Sequence, residues 1–215
     1  MKKALEAYWG DKISAEELLK VAKEQRLNTY ATIKEQGVDF VPTGTFSLYD
    51  HVLDMSNTLG IIPEAYAKSG LSQLDTYFAM ARGHQKGGVD LPATEMKKWF
   101  DSNYHYLVPE FSEKSEFKLN DNKPVDDFIE AKEAGYNARP VILGPLTLLW
   151  LGKTSKDAQD PNFNRYSLLP KLAQTYVQLF EKLAAAGAPW VQLDEPILVV
   201  DTAKQLSNEF KQTYE

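Results

Sequence analysis

The 215-residue chain contains no cysteine. That absence excludes a disulfide framework, a thiolate nucleophile and any zinc site built on Cys. Histidine is scarce too: His51, His84 and His105 are the only three, none at metal-ligand spacing from another, so the residues predict no transition-metal site inside the chain. No apolar stretch approaches the ~20 residues needed to cross a bilayer. The opening Met1-Lys2-Lys3-Ala4-Leu5-Glu6 reads as the start of an amphipathic helix rather than a signal peptide, and a cytoplasmic location is the expectation. Positive charge is in deficit, with 24 Lys and Arg against 30 Asp and Glu and a net charge of -6. A nucleic-acid-coating protein is therefore not expected, although an acidic chain can keep a local basic pocket for an anion. Missing as well are a Gly-x-Ser-x-Gly elbow, the Walker spacing and a dinucleotide fingerprint.

What is present is the composition of an ordinary globular protein, 43% apolar and 25% charged, long enough for a substantial core. Ser14-Ala15-Glu16-Glu17 is a capping box, which predicts a long helix to about Gln36 with Gly37 ending it. Val38 to Pro42 reads as a short buried strand, Tyr49 to Leu59 as a helix closed by Gly60, and Ser72 to about Arg82 as another helix. His84 to Gly88 reads as a glycine-containing mobile loop, Ala93 to about Phe100 as a short helix, and Tyr104 to Val108 as a strand. Pro124 suits the first turn of a helix running to about Ala134. Arg139 to Gly144 and Trp190 to Asp194 are apolar strands, separated by a long helix from Ser167 to about Ala186, and a last helix covers Ala203 to Tyr214.

Helices alternating with short strands predict an α/β fold of the (β/α)8 TIM-barrel type. Only about four strands are legible, whereas a closed barrel needs eight in typically ~250 residues. The expectation is an incomplete barrel of about four to five βα units. In such a fold the carboxyl ends of the strands carry the site, which directs attention to the ends near 42, 144 and 194.

Two segments carry chemistry, one straddling a helix end and a strand and one at the strand end near 194. Lys98 to Tyr106, Lys-Trp-Phe-Asp-Ser-Asn-Tyr-His-Tyr, puts ionisable and amide groups among four aromatic rings, a mixture that suits a site but also fits core rings around a solvated turn. Within it Lys98 can lay its methylenes on Trp99 and present its ammonium to a carboxylate or phosphate, or be a solvated lysine. His105 is either a hydrogen-bonded packing residue or a catalytic one. Asp194-Glu195-Pro196 stands at a strand end, where the carboxylates can bind an amine or hydroxyl, act as a base, or cap the next element. Lys2 poses the same question as Lys98 from the chain terminus.

Taken together, Lys2-Lys-Ala-Leu-Glu-Ala-Tyr-Trp9, the Lys98 to Tyr106 run, Arg139-Pro-Val-Ile-Leu-Gly-Pro145 and Val191-Gln-Leu-Asp-Glu-Pro196 closely resemble the N-terminal domain of cobalamin-independent methionine synthases. The resemblance covers nearly the whole chain. It implies one of two related barrels in an enzyme that moves a methyl group from 5-methyltetrahydrofolate polyglutamate to homocysteine. Residues 1–215 would be a partial N-terminal barrel, without the C-terminal barrel in which the family holds zinc through His, Cys and Glu. The chain itself is expected to bind no cofactor and to contain no catalytic residue. By the resemblance, Lys98 and Lys2 bind the folate's glutamate tail, while Asp194 and Glu195 match a motif that binds substrate in the other barrel.

The family's first strand and its Arg-Glu-Leu-Lys motif are expected before position 1, with only the lysine remaining as Lys2. The chain thus looks truncated at both ends, and a partial barrel with open sheet edges is expected to dimerise, swap elements or bind a missing fragment. Alone it is expected to be inactive. Its partners would be the folate polyglutamate and homocysteine, with neither nucleic acid nor membrane. The competing expectation is a non-catalytic assembly module with no ligand of its own.

Overall fold

The computed structural model describes residues 1–215. Helix α1 (Lys2–Trp9) is followed by α2 (Ala15–Glu35). The capping box forms as the sequence predicts: Glu17 N donates to Ser14 Oγ at 3.1 Å and Ser14 N to Glu17 Oε2 at 2.8 Å. Strand β1 (Val41–Thr43) is shorter than expected and shifted toward its carboxyl end, and Val38 and Phe40 are left exposed. Asp50 caps α3 (His51–Thr58), a helix buried from Val52 to Thr58. A single turn, α4 (Glu64–Ala67), and the Ser72-capped α5 (Gln73–Arg82) follow.

The next stretch departs from expectation. Residues 84–88 belong to a hairpin of β2 (His84–Lys86) and β3 (Val89–Leu91), not to a loose loop. The helix expected over Ala93–Phe100 is absent. Met96–Lys98 is instead strand β4, antiparallel to β5 (His105–Leu107), with Lys98 directly opposite His105. The connection between them is tight: Trp99 N donates to Tyr104 O at 2.7 Å, Ser102 Oγ to Trp99 O at 2.6 Å, and Phe100 adopts φ +48°. That left-handed conformation is costly for a bulky residue. It is offset by packing, because the Phe100 ring stacks on Trp150 at 5.2 Å. Long-range contacts thus override the local periodicity.

Strand β6 (Glu110–Phe111) leads to α6 (Lys123–Glu133), β7 (Ala138–Leu143), α7 (Pro145–Leu151) and β8 (Lys153–Thr154). A 3₁₀ turn at Arg165–Leu168 opens α8 (Leu169–Ala186), and β9 (Gln192–Asp194), two further 3₁₀ turns and α9 (Ser207–Tyr214) complete the chain. Strands β1, β7 and β9 pair in parallel in that order, Val41 beside Ala138 and Leu143 beside Asp194. A separate parallel pair joins β6 to β8. The architecture is mixed α/β with small parallel and antiparallel sheets.

Packing follows from the helical stripes. Leu172, Tyr176, Leu179 and Leu183 of α8 are fully or almost fully buried in one core with Val125 and Phe128 of α6 and Ile142 of β7. Each contributes about 1.5–3 kcal/mol relative to an exposed side chain. The Tyr176 hydroxyl donates to Leu143 O at 2.7 Å, fixing the carboxyl end of β7. A second core gathers Leu18, Leu53, Tyr77, Phe78 and Met80 under α1 and α5.

Candidate functional site

The carboxyl ends of β1, β7 and β9 open into a cavity of about 840 Å³, large enough for a small organic ligand. The α3 residues His51, Asp54, Met55 and Thr58 form one wall, and Trp99, Tyr104 and His105 of the β4–β5 hairpin another. The third is built from Leu143, Asp194, Glu195 and Pro196, with Lys123 and Pro124 of α6 at the side. Gly44 lets the loop after β1 pass close to β7: its φ is +81°, and a Cβ there would lie 2.7 Å from Val141 O.

Two acidic residues set the electrostatics of the α3 side. Asp50 accepts Val52 N at 2.8 Å and Leu53 N at 3.1 Å on Oδ1, and Leu107 N at 3.1 Å on Oδ2. Burial pushes its carboxyl up to about 6, against the pull of those three amides. Asp54, one helical turn on, is also pushed up by burial, with the Lys123 ammonium opposing. It accepts the Tyr77 hydroxyl at 2.7 Å, and Lys123 Nζ stands 3.6 Å from its other oxygen. Lys123 also meets Asp127 at 2.6 Å and donates to Phe46 O at 2.8 Å. Burial opposes its charge, but the carboxylates outweigh it and raise its pKa. Asp127 lies 3.4 Å from Arg26, which binds Glu130 through two bonds of 2.7 and 2.8 Å. Carboxylates outnumber cations inside the cavity.

The structure brings four of the five sequence candidates to this face. His105 lines the cavity, and its register partner Lys98 projects from the same face of the ribbon, because directly opposed residues in an antiparallel pair share a side. Lys98 is exposed, and the nearby ion pairs use other lysines: Lys97 with Glu95, and Lys153 with Glu95 and Glu110. Asp194 is exposed at the cavity mouth and accepts Gln192 Nε2 at 2.7 Å. Glu195 lines the cavity but its oxygens are engaged elsewhere. They accept Leu146 N at 3.0 Å, Thr147 N at 2.7 Å, Thr147 Oγ1 at 2.5 Å and the Tyr214 hydroxyl at 2.5 Å. The capping alternative is therefore the one realised, on α7 rather than on the element after Glu195. Lys2 is not brought to the cavity; it is exposed on α1, 3.9 Å from Glu6.

The sequence reading missed Asp50, His51, Asp54 and Lys123. Asp50 was findable as an N-cap before an apolar periodic run, and Lys123 as the i, i+4 partner of Asp127. Their convergence was not. Burial lowers the His51 pKa, with Asp194 opposing, and its ring meets Trp99 edge-on at 4.5 Å. No group of three or more His, Asp or Glu side chains is placed to hold a metal ion.

Parallel strands linked by helices, with a ligand-sized cavity at their carboxyl ends, define an α/β domain of the class that carries its sites on that face. The chain belongs to the family described as "Cobalamin-independent synthase, N-terminal domain", which matches residues 1–215. It is similar over its whole length to three curated proteins. One is the "Probable 5-methyltetrahydropteroyltriglutamate–homocysteine methyltransferase" of Schizosaccharomyces pombe, at 51% identity. The others carry the same name without the qualifier, from Saccharomyces cerevisiae at 49% and Coxiella burnetii at 45%. The chain spans 28%, 28% and 27% of those proteins. No helix is long and apolar enough to cross a membrane.

Proposed function

We propose that the chain is the N-terminal portion of a cobalamin-independent methionine synthase, which transfers a methyl group from 5-methyltetrahydropteroyltriglutamate to homocysteine. Its own task is to hold the γ-linked glutamate tail of the folate. Its three paired parallel strands are part of a larger barrel, and methyl transfer takes place on groups outside these residues. The observation that supports this reading is the register of Lys98: an exposed lysine paired directly with His105, which lines the cavity at the strand ends.

The charge distribution supports the rim rather than the floor. Asp50 and Asp54 would repel tail carboxylates from the interior, whereas Lys98 offers an exposed cation beside it. Lys2 is a second candidate for the tail, with the smaller share because the cavity lies elsewhere. Glu195 serves the scaffold through the α7 N-terminus and touches no reacting atom. The test is calorimetric titration of the chain with 5-methyltetrahydropteroyl triglutamate and its monoglutamate, repeated with Lys98→Ala. Preference for the triglutamate, lost in the variant, is expected. Equal affinities in the parent chain would overturn the reading.

A further inference from the structure

We propose that Asp50 is the positioning residue for Lys98: its carboxylate pins the β4–β5 hairpin to the N-terminus of α3 and so fixes the lysine on the cavity rim. This rests on the tail-binding reading above and extends it to a residue that touches no ligand.

The geometry divides the carboxylate into two functions. Oδ1 accepts Val52 N and Leu53 N, which is the N-cap of α3, while Oδ2 accepts Leu107 N from the return strand of the hairpin. Leu107 pairs with Met96, and two residues along the same ladder His105 pairs with Lys98. A shift of Leu107 therefore moves Lys98 through a rigid two-stranded register. The other ties of this region are the Tyr106 hydroxyl, which donates to Leu151 O at 2.9 Å, the Lys153–Glu95 ion pair, and ring contacts, Trp99 with His51 at 4.5 Å and Phe100 with Trp150 at 5.2 Å. The rings hold the turn and Tyr106 holds the opposite face of β5, which leaves Asp50 as the polar side-chain tie at Leu107. The β4–β5 pair forms a sheet by itself, joined to no other strand, so a polar tie from α3 has no ladder to substitute for it.

Asparagine separates the two functions. In Asp50→Asn the side-chain oxygen can still cap α3, since Asn is among the best N-cap residues. The amide nitrogen then faces Leu107 N donor to donor, and the tie to the hairpin is lost. Acid should act on the same bond. Oδ2 accepts one amide and Oδ1 two, so the proton goes to Oδ2 and weakens the bond to Leu107, with Asp50 titrating at about 6. The ionisable groups around it are His51 and Asp54 on α3, Tyr77 from α5 and Tyr106 from β5. Both tyrosines are pushed up, away from this range, and the Asn variant retains all four groups as an internal control.

The experiment compares the parent chain, Asp50→Asn, Lys98→Ala and the double variant. It reads the ratio of triglutamate to monoglutamate affinity at pH 7.5 and 5.5, with amide hydrogen exchange at Leu107, Val52 and Leu53. Asp50→Asn should exchange faster at Leu107 alone. It should lose about tenfold of the triglutamate preference, the size of one weakened charge-assisted contact, and the double variant should be no worse than Lys98→Ala. The parent ratio should fall between pH 7.5 and 5.5 while that of Asp50→Asn stays flat. An unchanged ratio in Asp50→Asn, or losses that add in the double variant, overturns the positioning role while leaving the Lys98 result standing. An unchanged ratio in Lys98→Ala overturns both the tail reading and the role assigned to Asp50.

Discussion

The carboxylate of Glu195 lies against Gly144: a Cβ at residue 144 would stand 2.2 Å from the Glu195 carboxyl carbon and 2.3 Å from Oε1. Only glycine lets β9 deliver an acid to the amides of Leu146 and Thr147, where the α7 helix dipole favours negative charge. Glu195→Ala should destabilise the chain by about 1–3 kcal/mol in urea unfolding, the range for a lost charged cap. Gly144→Ala should cost a similar amount by displacing the same carboxylate. The two should combine less than additively, because they remove one interaction. Triglutamate binding at Lys98 should survive in both.

The tail contact should be electrostatic. Lys98 is exposed, so raising salt from about 0.05 to 0.5 M should shrink the triglutamate preference, given a Debye length of about 10 Å at 0.1 M. Monoglutamate affinity should change less. A preference insensitive to salt would assign the tail to buried contacts instead.

Lys2 provides a comparison on the same readout. Its side chain is 88% exposed beside Glu6, so Lys2→Ala should reduce triglutamate affinity less than Lys98→Ala does, with stability within about 0.5 kcal/mol of the parent. A larger loss than Lys98→Ala would shift the tail site toward α1.

Lys123 holds the charge network together. It lies 2.6 Å from Asp127 and 3.6 Å from Asp54, with only 22% of its side chain exposed. Lys123→Met should leave buried carboxylates uncompensated and cost about 3–5 kcal/mol. Combining it with Asp54→Asn should recover part of that loss in thermal unfolding.

Asp50 makes a signed pH prediction for stability. Its folded carboxyl titrates at about 6 against an ordinary 3.8, so between those values the folded state binds the proton more tightly than the unfolded one. Its contribution to stability therefore rises as pH falls through that window, and is lowest above pH 6. Compared with Asp50→Asn, the parent chain should gain relative stability between pH 7 and 4. A difference independent of pH would show that Asp50 titrates normally.

Much of the fold was legible in local signals. Ser14 and Glu17 wrote their capping box into four residues, and the α8 stripe from Leu172 to Leu183 announced its buried face. The hairpin at Lys98 was not legible. Met96, Lys97 and Lys98 carry no strand alternation, and β4 exists because β5 pairs with it and Asp50 holds Leu107, 57 residues away in sequence. The site followed the same division. Lys98 and His105 were visible as chemistry in the aromatic run and Asp194 at an expected strand end, whereas the acidic α3 wall had no local signature of its role.

By itself the sequence determined what is written in composition and short-range pattern: no thiol, an alternation of helices and strands, and motifs that place the chain in its family. Tertiary structure decided which candidates share a cavity. It assigned Glu195 to the α7 N-terminus across 49 residues and left Lys2 outside the cavity. The physical reason is that a backbone amide at a helix end or strand edge takes whatever acceptor folding brings within about 3 Å, and that distance is fixed by packing rather than by residue spacing.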